Sequence, residues 1–426
     1  MHYSWSSRIR WMTPIFKDWG FFSFSYFALA FESVVGLGFV VRHLSPVDFS
    51  EWAVLSALIT VMGAISQLGL KTAYMQLVAD RTLKSRQTQA LRAAFVLLGL
   101  TGLLAGLVIS LVLGVSSLLG YWDNTNVLWV LPGVLMLGNL QMVLVTELRV
   151  SQRVASLVKL GYQRSIIFVA VMFVFTQFLS IGLELIYWGQ LCANAYMVLR
   201  LIQILKIHRF FSVIRWEFLP SAISLGWPVM LGLLLKYGAD AMVSMGMRWM
   251  ATVEVAANYG RAVRILEPFN ALFFTAFVMA WGANTYLMAA DSLLKKHLVI
   301  IAKMGLLICV GGMLLAYPVA LGMQLIFLEL APTSLLGPEF LMVLARLAAF
   351  AAISPVQFGW IVSRNYRWGM MFNGLEFMLT AAIYLVLLWQ EHYVEALLSA
   401  ALIPWSMVGL QYLMSVHLYR PHQASA

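Results

Sequence analysis

The sequence predicts an all-α integral membrane protein of about twelve transmembrane helices, arranged in two six-helix lobes related by internal duplication. Three observations predict it. The 426 residues are 62% hydrophobic and only 11% charged, whereas a soluble chain is about 25% charged. The apolar runs are numerous and long enough to supply twelve helices of about 20 residues, the length that a bilayer demands. A phrase between the first two runs is also written again further on, at an offset of 206 residues.

Each element has its own justification. The first span, 21–41, follows the lead-in "MHYSWSSRIRWMTPIFKDWG", where Trp5, Trp11 and Trp19 lie among Arg8, Arg10 and Lys17. That mixture suits a membrane interface. No small-residue cleavage site follows a short apolar core, so no removable signal is expected. The second span, 52–70, begins after Asp48 and Glu51, and the third, 93–115, contains "GLTGLLAG". Gly102 and Gly106 there lie four residues apart, which allows close helix packing. The fourth span is 127–148; the fifth and sixth, 165–182 and 184–205, are parted only by "IGLE". The second half follows with 219–247, 265–289, 298–327, 340–363, 368–389 and 394–416. Pro228, Pro268, Pro318, Pro355 and Pro404 interrupt spans. Such breaks are tolerated where neighbours or a water-lined cavity satisfy the freed backbone.

Charge orients the spans. With the N-terminus inside, the cytoplasmic segments collect Arg8, Arg10, Lys17, Lys71, Arg81, Lys84, Arg86, Arg92, Arg149, Arg153, Lys159 and Arg164. They continue with Arg200, Lys206, Arg209, Arg215, Lys295, Lys296, Lys303, Arg364, Arg367 and Arg420. The outer connections hold Arg42, Arg248, Arg261 and Arg264. A lost or added span would scramble this alternation, so twelve spans and cytoplasmic termini support each other. The net charge of +10 is therefore topological. No basic tract is dense enough for a nucleic-acid partner. Cys192 and Cys309 fall inside apolar runs and imply no disulfide framework.

Ionisable residues inside spans cost about 2.5–3.5 kcal/mol each at the helix centre, which makes them functional candidates. They are Glu32, Lys236, Asp240, Arg346 and Glu376. Lys236, Asp240 and Ser244 recur every four residues, on one helical stripe. Either Lys236 and Asp240 neutralise each other, or the stripe faces a cavity. Asn373, Glu376 and Thr380 share a face, and Arg346 and Gln357 share another. Arg261 and Arg264 stand one turn apart at the outer mouth of the eighth span, with Glu267 a turn further.

The repeated phrase sets Arg42 on Arg248, Leu44 on Met250, Val47 on Val253, Asp48 on Glu254 and Phe49 on Val255. Both copies lie in the first outer hairpin of a six-span half. A parallel duplication of this kind is a transporter architecture, with the substrate site between the halves. The expected lobes are residues 1–210 and 211–426, rocking against each other.

The hairpin "VVRHLSPVDFSEWAVLSALITVMGAISQLGLKTAYMQ" resembles polysaccharide transporters of the Wzx type, within the multidrug/oligosaccharidyl-lipid/polysaccharide exporter superfamily. Leu44, Ser45, Pro46, Phe49, Trp52, Leu68, Gly69, Leu70 and Ala73 carry the resemblance. In "VEVAANYGRAVRILEPFNALF", Val255, Tyr259 and Ala262 carry it again. Ser50 and Ala257 depart from it, standing where glycine is usual. The resemblance implies an O-antigen or exopolysaccharide flippase of the bacterial inner membrane. Its cargo would be a polyprenyl-diphosphate-linked oligosaccharide, moved from the cytoplasmic to the periplasmic leaflet for surface polysaccharide or lipopolysaccharide biosynthesis. Other polysaccharide-assembly membrane proteins would be its partners.

In that setting Lys236, Arg261, Arg264 and Arg346 are the expected contacts of the diphosphate, because Arg offers a bidentate fork and Lys a mobile point charge. Glu32, Asp240 and Glu376 are the expected coupling groups, loading a proton or sodium ion. Neither a cofactor nor a bound metal is expected. The first alternative is a cation-coupled multidrug exporter of the same superfamily, since Lys236 and Arg346 face three deep carboxylates. A membrane glycan polymerase or ligase is the second. The short connections lack an HExxH, a P-loop or a Gly-x-Ser-x-Gly turn, so no enzyme is expected.

Overall fold

The computed structural model describes residues 5–40, 45–71, 73–74, 87–120, 122, 125–150, 154–176, 182–206, 219–281, 297–327, 337–363 and 367–424. Among these residues there are twelve long helices and no strand. The first half comprises α1 (Trp5–Val40), α2 (Pro46–Ser66), α3 (Gln87–Leu118), α4 (Leu131–Val150), α5 (Val154–Phe175) and α6 (Leu183–Ile204). The second comprises α7 (Leu219–Met250), α8 (Val253–Phe269), α9 (Leu298–Phe327), α10 (Pro338–Val356), α11 (Arg367–Leu379) and α12 (Tyr393–Ala424). Helix α8 runs on through a π turn, Asn270–Thr275, and α11 runs on through another, Thr380–Tyr384, into Leu385–Trp389. A short helix, Phe358–Ser363, follows α10.

Ten of the described helices are long and apolar enough to cross a membrane, and the twelve together overlie the twelve predicted spans. Helix α6 falls outside the ten, diluted by Glu184, Gln190, Asn194 and Arg200. Its polar residues are used: Arg164 Nε donates to Asn194 Oδ1 at 3.0 Å, and Tyr196 OH donates to Gln163 Oε1 at 3.2 Å. Helix α1 falls outside as well.

Several ends differ from expectation. Helix α8 starts at Val253, twelve residues before the predicted 265, because Thr252 caps it and accepts from Val255 N. Helix α5 occupies Val154–Phe175 where 165–182 was expected, and α1 begins at Trp5 rather than at 21. Hydropathy marks the stretch facing lipid, whereas capping and turn chemistry decide where a helix ends.

The described chain divides into two compact units, Val35–Arg248 and Met1–Val34 with Trp249–Ala426. Each therefore contains one helix from the other half of the sequence. In the first unit α3 packs along α4. Glycines fit the contact, since a Cβ on Gly106 would come within 2.3 Å of Pro132 Cα and one on Gly102 within 2.9 Å of Leu135 O. The opposite face of α3 exposes Leu100, Leu104, Leu107, Leu111 and Val115, a stripe suited to lipid. Polar bonds tie the same helices to α2: Asn139 Nδ2 donates to Ser66 Oγ at 2.8 Å, and Thr101 Oγ1 to Ser66 O at 2.7 Å.

Leu68 and Gly69 end α2 in the left-handed conformation, with φ 52° and 66°. A Cβ on Gly69 would stand 2.0 Å from Gly226 O of α7. Only glycine fits there.

In the second unit α1 docks through Trp19. Its indole N–H donates to Phe273 O at 3.2 Å, and its ring meets Phe273 and Phe277 edge-on at 4.9 and 5.6 Å. Phe273 lies in the π turn, whose altered ladder redirects carbonyls to outside donors.

Candidate functional site

Helix α10 carries a buried cation. Arg346 is buried and donates from Nη1 to Ala400 O of α12 at 2.9 Å. That carbonyl is available because Pro404, four residues on, has no N–H to bond it. The contact is reciprocal, with Trp405 Nε1 donating to Ala345 O at 3.1 Å. Tyr384, in the π turn of α11, sits in the electrostatic field of Arg346 and of Tyr259 on α8. Arg346 thus centres a cluster on four helices. Gln357 does not extend its stripe, because it caps α10 where the helix breaks after Pro355.

Arg261 and Arg264, expected at the mouth of the eighth span, lie inside α8. Arg264 is buried and forms an ion pair with Glu267 at 2.9 Å. Arg261 Nη1 donates to Asn258 Oδ1 at 3.3 Å. One donor of each guanidinium group thus meets a partner on its own helix.

Lys236 and Ser244 are buried on one stripe of α7 with Asp240 partly buried between them, in the spacing that the sequence predicts. Ser244 Oγ donates to Asp240 O at 3.2 Å. Tyr237 lies in the field of Asp240. Glu32 is buried on α1. Glu376 is wholly buried on α11, one turn before the equally buried Thr380.

The residues that the structure brings together are thus Arg346 with Tyr384 and α12, Tyr384 with Tyr259, and Arg264 with Glu267. Lys236 and Asp240 belong to one compact unit, whereas Glu32, Arg261, Arg264, Arg346 and Glu376 belong to the other. Among the described residues, no group of three or more His, Cys, Asp or Glu side chains is placed to hold a metal ion.

Sequence reasoning passed over two features. Glu51, read only as an outer-loop acid, is fully buried beside Arg248 at 3.6 Å. Its one signal is the acidic residue in an amphipathic turn right after a capping box, which Ser45 and Asp48 form. Gln411 and Ser415 are wholly buried on α12. Their signal is a four-residue step of neutral polar residues within an apolar run.

Solved structures then place this architecture. A MATE transporter in complex with MaD5 superposes with a TM-score of 0.68 at 12% identity, covering 96% of this chain and 97% of that one. The fold is that of the MATE transporters. The eukaryotic MATE transporter AtDTX14 gives 0.67 at 13% identity over 96% and 99% of the two chains. A mutant of the Vibrio cholerae MATE transporter VcmN gives 0.63 at 15% identity over 97% and 99%. A multidrug resistance MATE family transporter of the MOP superfamily matches in both its inward-facing and outward-facing conformations, at 0.59 and 0.65. No family model and no curated protein matches the chain by sequence. At these identities the likeness is one of fold.

Proposed function

We propose that the chain is a secondary transporter of the MATE type, exporting amphipathic small molecules, organic cations among them, in exchange for a monovalent cation. The observation that carries this is the ion pair that takes Arg264, one of the four cations expected to hold a diphosphate, out of the charge balance. Arg264 neutralises Glu267, Arg261 engages Asn258, and Arg346 serves a backbone carbonyl. With Arg264 neutralised, Lys236, Arg261 and Arg346 stand against Glu32, Asp240 and Glu376, so the balance of charge among the candidate groups does not favour an anionic cargo. Glu32, Asp240 and Glu376 remain as carboxylates able to load a cation as access alternates between six-helix halves. Fold kinship adds weight, because multidrug transporters share the architecture along nearly the whole chain.

The oligosaccharide flippase is the second reading. What favours it is the resemblance of the first hairpin, together with Lys236 buried on a polar stripe of α7. In that reading Lys236 and Arg346 contact the diphosphate, and the protein sits in the bacterial inner membrane with both termini inside.

One experiment separates them. In a strain lacking this gene, sensitivity to cationic drugs is measured beside the pool of polyprenyl-linked oligosaccharide. Raised drug sensitivity with an unchanged pool is the expected result. An accumulated lipid-linked repeat unit with unaltered sensitivity would overturn the exporter reading in favour of the flippase.

A further inference from the structure

The seam between α11 and α12 gathers more buried polar atoms than its protein neighbours satisfy. Glu376 and Thr380 on one side, and Gln411 and Ser415 on the other, are wholly buried. Helix α12 packs along α11, along its π turn and along the short helix Phe358–Ser363. Thr380 Oγ1, Ser415 Oγ and both ends of the Gln411 amide have no hydrogen-bond partner, and neither does the Trp360 indole N–H.

This departs from the habit of the chain. Other helical hydroxyls bond the carbonyl four residues back: Thr60 to Ser56, Thr146 to Met142, Ser165 to Gly161, Ser406 to Leu402. That is the default for Ser and Thr within helices. Thr380 and Ser415 forgo it and point their hydroxyls elsewhere.

The groups form a file. The turn at Gln390–His392 makes α11 and α12 antiparallel neighbours, so Tyr384 lies near the level of Ala400, Thr380 near Pro404 and Glu376 near Val408. Arg346 anchors that register, since it bonds Ala400 O and acts on Tyr384. Gln411 and Ser415 continue from Glu376 toward Trp360, in steps of about 6 Å for each helical turn. At that end Trp360 stacks on Phe372 at 5.8 Å, and a Cβ on Gly359 would come 2.4 Å from Ser415 O.

The unmet atoms also say what they would take. A bare metal ion would serve the amide oxygen and the two hydroxyl oxygens of this file. It would leave Gln411 Nε2 and the Trp360 N–H without an acceptor. Water both donates and accepts, and buried water typically meets about three otherwise unsatisfied groups.

We propose that this seam holds a file of bound water that carries protons to and from Glu376. In loading, a hydronium in the file transfers its proton to the carboxylate, leaving a neutral acid and a water; release is the reverse. The inference rests on the reading of the chain as an ion-coupled transporter, and it makes Glu376 the proton-loading group. The titratable or charged groups on the elements packed around it are Glu339 and Arg346 of α10, Tyr384 in the π turn, Tyr393, Glu395, Tyr412, His417 and Tyr419 of α12, and Arg367 at the exposed start of α11.

The test uses the full-length protein in lipid nanodiscs. Difference infrared spectra between acid and neutral pH follow the carboxylic acid C=O stretch and its exchange in D2O, and thermal unfolding is measured alongside. A titrating band that is lost in Glu376→Gln, and that exchanges more slowly in Gln411→Leu and Thr380→Val, is the expected result. The same two apolar variants are expected to lower Tm, because they remove partners of bound water. In a dry seam they would raise it, since an unsatisfied buried polar group is better replaced by an apolar one. A raised Tm with unaltered exchange, a band indifferent to Glu376→Gln, or a band displaced by sodium would each overturn the proposal. None of these readouts involves a cargo, so the proposal and the exporter reading can fail separately.

Discussion

A charge in a membrane protein is informative chiefly through what it is paired with. Arg248 looks from the sequence like one of a few outer-loop cations, yet it stands 3.6 Å from a carboxylate with no solvent exposure, that of Glu51. The two are asymmetric, since Arg248 keeps 21% of its side-chain surface exposed. Removing one partner of a fully buried pair costs about 3–5 kcal/mol, whereas an exposed pair contributes under about 1 kcal/mol. Arg248→Ala, which removes the cation beside the buried acid, is therefore expected to cost about 2 kcal/mol. Arg248→Met combined with Glu51→Leu should recover most of that loss, because replacing both charges with apolar groups of similar volume is close to neutral. Thermal unfolding in detergent micelles measures both. Equal losses for Arg248→Ala and the double variant would mean that Glu51 is held by its other neighbours and the pair contributes nothing.

At the scale of helices, proline and π turns decide which carbonyls are left for other helices to use. Pro404 releases Ala400 O, and Arg346 takes it. Arg346→Met is expected to cost about 2 kcal/mol, from a lost charge-assisted bond and a stranded carbonyl. In a Pro404→Ala background the helix can bond Ala400 O itself, so the same substitution should cost about 1 kcal/mol less. A double-mutant cycle reads that coupling. Zero coupling would show that Arg346 is kept for something other than the carbonyl, and an anionic cargo would regain its strongest contact. The same elements show what the sequence could tell. Spans were legible because long apolar runs are a strong and redundant signal, and Gly102 and Gly106 because close approach excludes a Cβ. The true start of α8 was not, since Thr252 caps it in a polar stretch ahead of the apolar run. The repeated phrase is informative in a different way from the one its letters suggest. Helices α2 and α8 start at Pro46 and Val253, 207 residues apart, one residue off the lettered register. Their caps, Ser45 and Thr252, are of a kind that many helix starts use. So the lettering records two capped helix starts, and the case for duplication has to come from elsewhere. The neutral polar residues Gln411 and Ser415 passed unnoticed because they are far less costly in a packed span than an ionised group, and so stand out less.

At the scale of the molecule, that case comes from an exchange. Helix α1 opens the first half of the sequence and packs with the second, through Trp19 against Phe273 and Phe277. Helix α7 opens the second half and packs with the first, through Gly226 against Gly69. Two halves that each lend their first helix to the other are what a parallel repeat produces, and a chance resemblance of two helix starts would not. A parallel repeat of six spans also fixes orientation, since each half begins and ends on the same side of the membrane. The basic residues that crowd alternate connections then predict which side that is. His392, on the turn between α11 and α12, and Arg367, at the start of α11, are both exposed and lie at opposite ends of one span. With cytoplasmic termini, His392→Cys should react with a membrane-impermeant maleimide in intact cells, and Arg367→Cys only after permeabilisation. The native Cys192 and Cys309 lie within helices α6 and α9 and serve as the background control. The reverse pattern would invert the protein in the membrane, and labelling of both sites in intact cells would remove α11 as a span. Because the halves are parallel, either result would apply to α5, its counterpart in the first half, as directly as to α11.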